Sequence, residues 1–176
     1  MDHQRRSLGL PGLSTIKDSL AAWGFLKYST QKRNMAAWIL YEEFLVYLHV
    51  TFDIDRGVEK LYRYNMLRVR SDIVEAALFR ALTQQGFHIP KDAKARNLVD
   101  MAKKRGLISK NTAKLAIRIV DCRNNLHANK QQSLHIKVDP KLLDESDGLL
   151  ALIRDDLGKA LDQDAPDFPD PDEGRT

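Results

Sequence analysis

The sequence predicts an all-α fold: an antiparallel bundle of four to five main helices, with an N-terminal arm before it and an acidic tail after it. Three observations predict this. Apolar residues recur at three- and four-residue steps through most of the chain. No segment of any length alternates apolar and polar residues as a half-buried strand does, and there is no internal repeat. Helix stop and start signals, Gly86, Gly106 and the pair Asp139-Pro140, stand at the ends of the periodic segments. The 176 residues suit one domain, read as an arm with a short helix (1–33), a helical bundle (34–161) and a Pro-containing acidic tail expected to be disordered (162–176).

Each element has its own justification. Gly9, Pro11 and Gly12 break any pattern at the start, and Ser14 or Thr15 then caps a short helix running through Ala21, Trp23 and Leu26. A stronger helix is predicted over 34–51, where Trp38, Tyr41, Leu45 and Leu48 keep helical spacing. Residues 53–57 read as a break, and 61–70 as a mixed stretch with Tyr62 and Tyr64 among Arg63, Arg68 and Arg70. Ser71 or Asp72 is expected to cap the next helix, which carries Ile73, Val74, Ala77, Leu78, Ala81 and Leu82 and closes at Gly86. After Pro90 a helix over 93–105 stops at Gly106, its cations Lys103, Lys104 and Arg105 complementing the helix dipole. Ser109 opens a helix through Leu115, Ile119, Cys122 and Leu126. Asp139 and Pro140 open a last one, striped by Leu142, Leu149, Ile153, Leu157 and Leu161.

Composition narrows the function. The chain is 43% apolar and 30% charged, which suits a soluble globular protein. Glu42, Glu43 and His49 interrupt its most apolar stretch, so no membrane span is expected; no signal-peptide pattern is present either, and a cytoplasmic location is the expectation. The net charge of +4 is unevenly placed: Asp162, Asp164, Asp167, Asp170, Asp172 and Glu173 face Arg175 alone in the tail. A basic body with an acidic tail suits a polyanionic partner, with the tail competing for the same surface.

Most readable chemistry is excluded. There is no Gly-rich phosphate loop, no nucleophile elbow and no His-Glu-x-x-His or Glu-x-x-His pair. The single cysteine, Cys122, and five scattered histidines offer no metal-ligand spacing, and no cofactor is implied. The informative segment is Asp121-Cys122-Arg123-Asn124-Asn125-Leu126-His127. At about 100° per residue, Leu115, Ile119, Cys122 and Leu126 form the core stripe, and Lys114, Arg118, Asp121 and Asn125 the solvated face. Arg123 and His127 then sit one turn apart on the flank of the stripe, beside Ala116 and Val120. An arginine on that flank requires a partner. It finds either an anion on which His127 also converges, or a carboxylate of the core such as Glu42, Glu43 or Glu75.

The run Arg123-Asn124-x-x-His127 near a helix end resembles the signature of HEPN domains (higher eukaryotes and prokaryotes nucleotide-binding). Its lead-in strengthens the likeness: Asn97-Leu98-Val99, a basic turn, Gly106-Leu107-Ile108-Ser109, then the Arg-Asn helix. The resemblance covers roughly residues 34–161 and implies a homodimer with its motif helices facing each other. Active members are metal-independent endoribonucleases. The resemblance makes Arg123, Asn124 and His127 the catalytic candidates: the arginine for phosphate charge, the histidine for proton transfer and the asparagine for orientation. A permanently charged planar guanidinium and an imidazole that titrates near neutrality suit those tasks. Active members more often carry a longer gap than the three residues between Arg123 and His127, a departure that bears on catalysis more than on fold. Asn129 stands where some relatives carry a Tyr modified by a partner nucleotidyltransferase, so that mode is not expected.

Two functional expectations follow. One is an RNA-cleaving enzyme, a toxin or defence effector with an antitoxin or other protein partner, binding RNA through Lys110, Lys114 and Arg118 on the motif helix and through the Arg/Tyr cluster at 62–70. The other is a non-catalytic helical dimer that binds a protein partner or a nucleotide.

Overall fold

A computed structural model describes residues 14–27, 29–52, 56–90, 92–128 and 140–161, with side chains left undescribed at 29–31, 56, 57, 60, 125–128 and 140. Every regular element among these residues is a helix. In chain order they are α1 (Ile16–Ala22), α2 (Ser29–Thr51), α3 (Arg56–Gln84), α4 (Ala95–Lys104), α5 (Lys110–Ala128), α6 (Pro140–Ser146) and α7 (Leu149–Ala160). The all-α class is therefore as the sequence predicts. The acidic segment 162–176 lies outside the described residues.

Thr15 is the cap of α1. Its hydroxyl accepts from the Asp18 N–H while the Asp18 carboxylate accepts from the Thr15 N–H at 3.0 Å, a reciprocal capping box. The helix ends at Ala22, and Trp23, Phe25 and Leu26 turn into the core, each at most 4% exposed. α2 begins at Ser29, earlier than its periodic residues suggest. Its buried row is Met35, Ile39, Glu42 and Leu45, whereas Trp38 and Tyr41 lie on an exposed edge. Apolar residues surround this helix on most sides, so spacing alone does not choose the buried face.

The largest difference from expectation is α3, one helix through Ser71 and Asp72 instead of one capped there. Ser71 is fully buried in the helix interior. The charged stretch before it is accommodated by pairing: Arg63 with Glu59 at 2.5 Å, Arg68 with Asp72 at 3.8 Å, and Arg70 with Glu42. From Met66 to Leu82 nearly every position is buried or half-buried, because α3 is the central helix and touches α2, α4, α5, α6 and α7.

Gly86 and Gly106 end α3 and α4 with positive φ, 78° and 73°. In each case the glycine N–H and the next N–H bond back to the last turn: Gly86 to Thr83 and Phe87 to Leu82, then Gly106 to Lys103 and Leu107 to Ala102. Ser109 caps α5 through its hydroxyl, which accepts from the Thr112 N–H at 3.1 Å. On α5 the fully buried line is Ala113, Ala116, Ile119 and Val120, while Leu115 and Cys122 are half-buried. The buried face is thus turned toward the alanines, whose small side chains let α5 lie against α3.

The expected last helix is two. Asp147 and Gly148 break it into α6 and α7, and Arg70 fastens the break: it binds the Leu143 carbonyl, the Ser146 hydroxyl and, at 2.7 Å, the Asp147 carboxylate. Asp139 lies outside the described residues.

Candidate functional site

Four helices converge on a cleft of about 450 Å³. α2 contributes Lys32, Met35 and Trp38; α3 contributes Asp72, Glu75, Phe79 and Arg80; Leu98 of α4 and Arg123 of α5 complete the wall. The volume lies in the range of small-ligand sites. Arg123 reaches the cleft because it extends the buried line of α5 by one turn beyond Val120.

The Arg123 side chain is 23% exposed and fixed between two carboxylates of α3. Nη2 donates to Asp72 at 2.7 Å and Nη1 to Glu75 at 3.2 Å. Asp72 and Glu75 are three residues apart and so share one face of α3. Nε of Arg123 is buried without an acceptor. A buried donor left unpaired costs about 1–3 kcal/mol. Arg80 lies over the Phe79 ring, 4.8 Å from its centroid, at the same cleft.

The other predicted residues distribute around α5. Asn124 is exposed, about 100° around the helix from Arg123. The backbone of His127 is helical one turn beyond Arg123, and its side chain lies outside the described residues. Lys110, Lys114 and Arg118 are exposed, at least about 140° around the helix from Arg123, so the structure does not bring this basic row to the cleft. Arg118 is also paired with Glu145 of α6.

The Arg/Tyr cluster at 62–70 likewise separates. Arg70 is 2% exposed and Arg63 is bound to Glu59. Tyr62 is half-buried and stacks on His49 with ring centroids 5.5 Å apart. Burial pushes its hydroxyl up to about 12. Only Arg68 reaches the vicinity of the cleft, through Asp72. Among the described residues no group of His, Cys, Asp and Glu is placed to hold a metal ion, and no helix is long and apolar enough to cross a membrane.

Arg123 and its pairing with Glu75 are among the expectations from helical spacing, whereas Lys32, Trp38, Phe79 and Arg80 at the cleft are not. These come from helices far apart in the chain, and only tertiary packing assembles them. The one local signal is the Asp72–Glu75 spacing on α3, which reads as a cap when the helix is taken to start there. Comparison with protein-family models, with curated proteins and with solved structures finds no match for the chain.

Proposed function

We propose that this chain is a HEPN-like, metal-independent endoribonuclease whose Arg123 cleft receives the scissile phosphate. The observation that carries the reading is the Arg123 guanidinium at the wall of the cleft, its side chain 23% exposed, one helical turn from His127. In this reading the ribose 2′-hydroxyl attacks the adjacent phosphorus and the bond to the 5′-oxygen breaks, leaving a 2′,3′-cyclic phosphate and a 5′-hydroxyl. Arg123 stabilises charge on the phosphoryl oxygens, and His127 serves in the accompanying proton transfer. Its partner across a homodimer supplies a second copy of the pair.

A second reading, a non-catalytic dimeric module that binds a protein or a nucleotide, is favoured by the double ion pair of Arg123. With Asp72 and Glu75 already bound, its charge is matched within the chain. Incubating the purified protein with a pool of structured and single-stranded RNA in EDTA separates the two. Cleavage to cyclic-phosphate ends, lost in Arg123→Ala and His127→Ala, is the enzyme's outcome. Intact RNA, with all three proteins equally folded, leaves the second reading.

A further inference from the structure

We propose that the Arg123 cleft continues across Trp38 into a groove between α2 and α3, and that the two together form a track for unpaired RNA, with a base stacked on the Trp38 indole. This deepens the ribonuclease reading and rests on it, since it takes the cleft to be where RNA binds. Trp38 lines both depressions: the cleft already described, and a shallower one formed with Ala37, Tyr41, Asn65 and Arg68. It is 44% exposed, and Tyr41 beside it 39%. Aromatic surface left in water this way is unfavourable unless something covers it.

The platform is pre-organised. The Trp38 and Tyr41 rings meet edge to face with centroids 6.0 Å apart, and the Tyr41 hydroxyl accepts from Asn65 Nδ2 at 3.0 Å. Charge favours a nucleic acid as the occupant. Lys32, Arg68, Arg80 and Arg123 line the two depressions, against the carboxylates of Asp72 and Glu75. Arg68 lies 3.8 Å from Asp72, which in turn holds Arg123, so cations recur from groove to cleft. Phosphates alternating with stackable bases match that order. A base reaches an indole face only after leaving its own stack, which selects single strands over duplex.

The test uses the full chain and a labelled 2′-O-methyl oligoadenylate of about ten nucleotides, which lacks the attacking hydroxyl and reports binding alone. The chain has two tryptophans, and Trp23 is 4% exposed, so quenching of indole emission by the oligonucleotide reports Trp38. We expect quenching on binding, affinity about tenfold weaker in Trp38→Ala, near-normal affinity in Trp38→Phe, and weaker binding of a duplex of equal length. Binding that depends on Arg123 but leaves the indole unquenched and is unchanged in Trp38→Ala overturns the track while the cleft reading stands. Unchanged RNA affinity with lost self-association in Trp38→Ala also overturns it and makes the patch a protein interface. Absence of any binding removes both the track and the RNA reading beneath it.

Discussion

Arg70 of α3 donates from Nε to Glu42 of α2 at 2.7 Å, with 2% and 10% of the two side chains exposed. The same guanidinium binds the Leu143 carbonyl, the Ser146 hydroxyl and Asp147, so one side chain joins the centre of the fold to the α6–α7 turn. Removing the cation leaves the Glu42 carboxylate buried and unpaired. Arg70→Met is expected to destabilise the chain by about 3–5 kcal/mol in urea unfolding. Adding Glu42→Met should recover part of that loss, because a paired apolar replacement removes the stranded charge. A double variant no more stable than Arg70→Met would show that the Glu42 charge contributes nothing to the loss.

Arg70 also shows what was legible in the sequence and what was not. Helix ends were legible where a local signal decides them: the Thr15 cap, the Ser109 cap, and the glycine stops at 86 and 106. The start of α3 and the split between α6 and α7 were not. The split depends on Arg70, whose partners are distant in the chain. The start of α3 combines the local Glu59–Arg63 and Arg68–Asp72 pairs with the distant Arg70–Glu42 pair. A dense run of arginines looks like a surface until its carboxylates are placed around it. The site divides in the same way. Arg123 follows from helical period, since its position flanks an apolar line. Its neighbours Trp38, Lys32 and Arg80 belong to other helices, and no spacing rule connects them to it.

The two glycine stops yield a stability prediction that is purely conformational. A Cβ added at Gly86 or Gly106 meets nothing within 4 Å, so sterics with the rest of the fold are absent. The cost of alanine is the left-handed backbone alone, about 1–2 kcal/mol at each site. Asparagine, which tolerates that conformation, should cost less. Thermal unfolding of Gly106→Ala beside Gly106→Asn checks the order; equal losses would point to a cause other than φ.

Asp156 of α7 supports the start of α5, accepting from the Ser109 N–H at 2.8 Å and the Thr112 hydroxyl at 2.6 Å. Burial pushes its carboxyl up, but those hydrogen bonds and Lys159 together hold it below its ordinary value of 3.8. A carboxyl lowered in the folded state stabilises above its unfolded pKa and loses that contribution as pH falls through the folded value. Asp156→Asn should therefore cost about 1 kcal/mol at neutral pH, the scale of a lost helix cap. The gap between variant and parent should hold down to about pH 5 and close as pH falls through and below 3.8. A gap independent of pH would assign the loss to geometry instead of charge.

Asp72 and Glu75 decide how much of the Arg123 charge a ligand meets. Both carboxylates lie within 3.2 Å of the guanidinium, and both line the cleft. If Arg123 receives a phosphate, these acids oppose the incoming anion, and neutralising them should tighten binding. Asp72→Asn and Glu75→Gln keep the size of each side chain and one acceptor oxygen and remove its charge. At contact distances in a solvated cleft each change is worth about 1 kcal/mol, so roughly fivefold in affinity for a single-stranded oligonucleotide at low salt, shrinking as salt is raised. If Arg123 is instead a structural tie between α3 and α5, the same substitutions loosen it. Unfolding stability then falls and oligonucleotide affinity stays flat. Measuring both quantities on the same two variants separates an arginine held ready for a ligand from one already committed to the fold.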